Sequence, residues 1–68
     1  MTQLDARGLS CPEPVIMVQK AMLKNDSAYE IIVDNAASRE NVTRFAEHKG
    51  YKVSVQENGG EYTLTMKK

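Results

Sequence analysis

The sequence predicts a two-layer α/β sandwich in the order β-α-β-α-β-β, with a four-stranded sheet on one side and two helices on the other. Three observations lead there. Four short segments read as strands, and two longer ones between them repeat apolar residues at helical spacing. Strand–helix–strand crossovers are right-handed, and two of them stepping in one direction put both helices on one face. The last two strand segments alternate apolar and polar residues around Asn58-Gly59-Gly60, as strands with one wet face do.

The elements follow in order. Residues 2–6 read as the first strand, with Leu4 and Ala6 on one side and Gln3 and Asp5 on the other. Arg7-Gly8 breaks the pattern, and Gly8 permits a turn that few other residues take. Residues 12–24 read as helix, with Pro12 at the first helical position and Pro14 still inside the first turn, where backbone N–H groups lack intrahelical partners. Val15, Val18 and Met22 form its core stripe, and Asn25-Asp26-Ser27 ends it as a polar turn. Tyr29–Val33 reads as an interior strand. A second helix is expected over 39–49, with Ser38 as N-cap, Gly50 just past its end, and Val42, Phe45, Ala46 and the stem of Lys49 on one face. Tyr51, Val53 and Val55 alternate in the third strand, and Tyr62, Leu64 and Met66 in the fourth.

Sixty-eight residues make one domain, residues 1–68. So small a core leaves stability marginal, and a single cysteine cannot supply the disulphides that small secreted domains use. A reducing cytoplasm is the expected location. Gln3, Asp5 and Arg7 interrupt any secretory apolar region, and no apolar run approaches the ~20 residues of a membrane span. Nine basic and nine acidic residues balance, so no global field attracts nucleic acid and no direct DNA binding is expected. One histidine, one cysteine and scattered acids speak against a metal site, and no cofactor is expected.

The chemistry concentrates at Cys11, the only cysteine, in Leu9-Ser10-Cys11-Pro12-Glu13-Pro14. A free thiol with a pKa near 8.5 is only a few per cent thiolate at neutral pH. Placed as N-cap of the first helix, with the N–H groups of Glu13 and Val15 in reach, it gains partial anion stabilisation of about 0.3–1 kcal/mol. Pro12 and Pro14 donate nothing but fix φ and aim the sulphur. Arg7 has two readings, a cation near the thiolate or a partner, and a solvated turn residue. Glu13 reads as a first-turn acid, with a partner contact as the alternative. His48 falls late in the second helix on its polar side, away from the start of the first, so no cysteine–histidine dyad is expected. Met22 and Met66 fit the core stripes, Met17 a surface position, and the three tyrosines strand packing.

The run Leu4-Asp5-Ala6-Arg7-Gly8-Leu9-Ser10-Cys11-Pro12-Glu13-Pro14 resembles the signature of the TusA/SirA/YedF family of small sulphur carriers, in which a Cys-Pro-X-Pro motif follows the first strand and opens the first helix. The resemblance implies a mixed sheet in the order 1-2-4-3 with the last strand antiparallel. It implies Cys11 as the catalytic residue of a sulfurtransferase-type carrier, supported by Gly8, Pro12, Glu13 and Pro14, and holding sulphur as a persulphide. The partners it implies are a cysteine desulphurase or another sulphur donor and a downstream acceptor protein, met by a monomer. Transfer RNA thiolation is one destination in the family. The stretch from Val33-Asp34-Asn35 through Glu40–Ala46 to Gly50-Tyr51 looks closest to the N-terminal domain of the YedF branch, which is linked to selenium metabolism and carries a second domain. Here the sequence stops at Lys68, so the second domain acts in trans or the chain is an excised domain. Two other classes stay open. One is a binding or regulatory module for RNA or protein, against which the zero net charge counts. The other is a thiol redox protein, which would lack a resolving cysteine.

Overall fold

In the computed structural model, residues 1–10 and 12–68 are described. The element order is β1 (Thr2–Asp5), α1 (Glu13–Ala21) running into a 3-10 turn (Met22–Lys24), β2 (Ala28–Val33), α2 (Ala36–His48), β3 (Lys52–Asn58) and β4 (Glu61–Lys67). The sheet order is β1-β2-β4-β3, as the resemblance implies. β1 and β2 run parallel with Leu4 beside Ile31, and Ala6 prolongs the pairing by donating its N–H to the Ile32 carbonyl at 2.8 Å. β4 lies antiparallel to both neighbours, placing Leu64 between Ile31 and Val55.

The central strands carry the core. Tyr29, Ile31 and Val33 of β2 and Leu64 and Met66 of β4 are buried, each two residues apart and so on one sheet face. Pro14, Val18 and Ala21 of α1 and Ser38, Val42 and Ala46 of α2 close the other layer. Val18 is buried as expected, but Pro14 and Ala21 are buried in place of Val15 and Met22, which are only partly buried against the core, and Met17, expected at the surface, is partly buried there too. Tyr29 meets Tyr51 edge-on at 5.7 Å, so these two rings pack, as expected of them.

Two boundaries differ from expectation, each for a local reason. The N-cap position of α1 is Pro12, Glu13 is the first helical residue, and Pro14 the second. The chain reaches helical geometry one residue later than expected, because the Glu13 N–H closes a turn onto the Ser10 carbonyl at 2.9 Å. α2 starts at Ala36, because Asn35 rather than Ser38 caps it: Asn35 Oδ1 accepts the Ser38 N–H at 2.8 Å from an extended backbone. Ser38 instead faces inward, and its buried Oγ finds no partner among the described residues. The far end of α2 closes as expected. Gly50, at φ +90°, follows the helix, its N–H bonding to Glu47 O and that of Tyr51 to Ala46 O, both at 3.0 Å.

Candidate functional site

The parallel pair β1–β2 brings the loop after β1 and the loop after β2 to one end of the sheet, where α/β proteins gather functional residues. Gly8 holds φ +80°, and its N–H donates to Asp34 Oδ2 at 2.7 Å. Asp34 Oδ1 accepts from the Asn35 side-chain amide at 3.2 Å, and Asn35 in turn caps α2. The entry loop to α1 is thus tied through two side chains to the first turn of α2. The Gly8 N–H, helped by the Asn35 amide, holds the Asp34 carboxyl below its ordinary pKa. A second tie lies inside the loop, where the Leu9 N–H reaches the Ala6 carbonyl at 3.2 Å.

Arg7 is placed by carboxylates. Its Nε and Nη2 grip Asp5 Oδ1 and Oδ2 at 3.0 and 2.8 Å, and its backbone N–H adds a bond to Oδ1 at 3.1 Å. Nη1 reaches Glu61 Oε2 at 3.5 Å at the start of β4. The Arg7 guanidinium and N–H hold the Asp5 carboxyl down at about 2, and Asp5 and Glu61 push the Arg7 pKa further up. This fork-to-carboxylate geometry fixes the turn that precedes the motif.

Cys11 lies outside the described residues, as does its expected N-cap geometry. On either side, Ser10, Pro12 and Glu13 are exposed, while Pro14 is buried. Of the two N–H groups expected to face a sulphur anion, that of Glu13 is taken by the Ser10 carbonyl. The two prolines separate physically: Pro12 stands at the surface and Pro14 plugs the core at the head of α1.

His48 lies nearer the head of α1 than its place in the sequence suggests. It is exposed near the end of α2, as expected, but it lines one hollow of about 510 Å³ together with Pro12, Val15, Asn41, Arg44 and Phe45. The close approach of α1 and α2 brings the late turns of one helix beside the first turn of the other. Sequence spacing carries no signal for that crossing, and none for the Gly8–Asp34–Asn35 chain, which joins residues 26 positions apart. Among the described residues no three His, Asp or Glu side chains gather as a metal site requires, and no helix is long and apolar enough to cross a membrane.

The element order, the sheet order and the loop that leads into α1 define a small SirA-like α/β domain. A crystal structure of a SirA-like protein from Desulfitobacterium hafniense superposes with a TM-score of 0.89, at 32% identity, covering 98% of this chain and 96% of that one. The family model for sulfurtransferase TusA matches residues 2–68. A relative from Methanocaldococcus jannaschii is 35% identical over 71 residues, spanning all of this chain and 95% of its own length. The sulfur carrier protein TusA of Pseudomonas entomophila is 32% identical over 68 residues, covering 96% of this chain and 85% of the relative. The chain belongs to the TusA family of sulfur carrier proteins.

Proposed function

We propose that the protein carries sulphur as a persulphide on Cys11 and relays it between partner proteins. The observation that carries this reading is the family match over residues 2–68 together with a single cysteine set between the fixed loop Arg7–Ser10 and the head of α1. In loading, the Cys11 thiolate attacks the outer sulphur of a donor persulphide. One S–S bond forms, the donor's S–S bond breaks, and the electron pair leaves on the donor thiolate, so no oxidant is consumed. In unloading, an acceptor thiolate repeats the exchange on Cys11. Gly8 and Arg7 act as positioning residues, holding the loop before the sulphur through Asp34, Asp5 and Glu61. Pro12 is the exposed element of the motif and Pro14 its anchor in the core.

The relay is between a donor such as a cysteine desulphurase and a downstream acceptor protein, in the cytoplasm, without a cofactor of its own. Its destination is thiolation of transfer RNA or, in the branch that residues 33–51 resemble, selenium metabolism. The test follows radioactive sulphur from labelled cysteine through a desulphurase to this protein and on to an acceptor protein. The label should leave the carrier as it appears on the acceptor, and neither event should occur with Cys11→Ser. Label reaching the acceptor equally well through the serine variant would refute the reading.

A further inference from the structure

We propose that the groove between α1 and α2 docks an acidic amphipathic helix presented by the proteins that exchange sulphur with this one. The identity of those proteins rests on the carrier reading above; the groove itself does not. The hollow beside Pro12 does not stand alone. A second one, of about 270 Å³, lies toward the other end of the helices, and Phe45 lines both. On α1 the groove residues Pro12, Val15, Gln19 and Met22 recur at helical spacing, so one face of that helix forms a single wall. Pro12, Val15, Met22 and Phe45 give the groove an apolar stripe, ending in Leu23, which is 83% exposed, while Gln19, Asn25 and Asn41 add neutral polar groups to the lining. An exposed leucine continuous with an apolar groove marks a contact surface rather than a scattered surface residue.

The charge along this groove is one-sided. Arg44 and Lys49 stand on the α2 wall with His48 between them, and no acidic side chain lines either hollow. Lys49 lies over the Phe45 ring at 5.7 Å, and Lys68 over Tyr51 at 5.1 Å. Among the described residues, Arg44, Lys49 and Lys68 form no ion pair with a carboxylate, whereas Arg7 and Arg39 do. Three of the nine basic residues of this chain of zero net charge thus stand along the groove, while Lys20, Lys24, Lys52 and Lys67, likewise without an ion pair among the described residues, line hollows elsewhere. An apolar stripe with a cationic wall complements a helix with apolar residues at i, i+3 or i+4 and i+7 and acids beside them. The length agrees. α1 and its 3-10 turn span about 20 Å, the length of roughly 13 residues of helix. One end of the groove is Pro12, so a helix seated there would bring its protein alongside Cys11.

The test selects binders from a phage library of randomised, helix-stabilised 14-residue peptides against the full chain carrying Cys11→Ser, so that no disulphide forms. Selected peptides should carry acids flanking an apolar i, i+3/i+4, i+7 stripe and should shift backbone NMR signals of Val15, Leu23 and Phe45. Leu23→Asp and Arg44→Glu, at exposed positions, should each weaken the best binder at least tenfold, and Leu23→Met and Arg44→Lys should retain it. Enriched peptides that are basic or that map elsewhere, no enrichment at all, or a single-stranded RNA 12-mer shifting the same signals where peptides do not, would each overturn the proposal. A parallel assay separates it from the carrier reading. Leu23→Asp should load from inorganic polysulphide at the wild-type rate but from a cysteine desulphurase at least tenfold more slowly. If the wild-type chain takes no sulphur from either donor, the carrier reading fails while the peptide result still decides the groove.

Discussion

Replacing Gly8 by L-alanine and by D-alanine isolates what the turn before the motif costs. Gly8 sits at φ +80°, and a Cβ added there would meet no atom of the described residues beyond its chain neighbours within 4 Å. Sterics against the described residues therefore contribute nothing, and the effect of L-alanine expected from them is the backbone penalty of the left-handed region, about 1–2 kcal/mol. For a domain of this size that lowers Tm by roughly 4–16 °C. D-alanine favours positive φ and restricts the unfolded chain, so it should stabilise by about 0.4–1 kcal/mol, the amount seen when glycine gives way to a compatible residue. Chemical synthesis makes both 68-residue chains accessible, and urea denaturation reads both stabilities. The Gly8 N–H remains available to Asp34 in each. If the two enantiomers destabilise equally, φ is not what selects glycine here and the account of this turn is wrong.

Arg7→Ala should bring the Asp5 carboxyl up from about 2 toward its ordinary value near 3.8, followed by carbon-13 NMR titration of the Asp5 carboxyl. Asp5 and Asp34 are both depressed in the folded state, so the stability they contribute is present above the unfolded carboxylate pKa and is lost as pH falls through the folded values. Acid denaturation should accordingly weaken in pH dependence when Arg7→Ala and Asp34→Asn are combined. Asn35→Ala should cost about 0.5–2 kcal/mol by uncapping α2, whereas Ser38→Ala should be neutral or stabilising by up to about 1 kcal/mol, since its buried Oγ has no partner among the described residues. Thermal denaturation of the pair distinguishes the true cap. Pro12→Ala should change stability by no more than about 1 kcal/mol, while Pro14→Ala, which empties a buried position, should lower it more; a larger loss at Pro12 would contradict their placement.

The strand alternation around Leu64 and Met66, the Ile31-Ile32-Val33 run and the Asn58-Gly59-Gly60 turn were enough to read the sheet's elements, because a period of two leaves one register in which the apolar set is buried. Gly50 announced the end of α2 because a left-handed closing residue has few alternatives. The start of α2 was misread for a corresponding reason. Asn35 and Ser38 are both good caps, and only the inward face of Ser38 in the packed domain decides between them. The motif Cys11–Pro14 was legible as a resemblance, but not the different burial of its two prolines, which depends on how α1 lies on the sheet. Least legible were the features made by long-range approach. The bond from Gly8 to Asp34 and the meeting of His48 with Pro12 arise from the parallel strand pair and the helix crossing, and neither leaves a trace in local spacing.

The central claim concerns one sulphur atom on one residue. Intact mass spectrometry of the protein after incubation with a cysteine desulphurase and cysteine addresses it directly. The account predicts a gain of about 32 Da, a single sulphur, that a thiol reductant removes and that peptide mapping assigns to Cys11. The folded Cys11→Ser chain should gain nothing. An unchanged wild-type mass with an active desulphurase, or an equal gain in the serine variant, would contradict it.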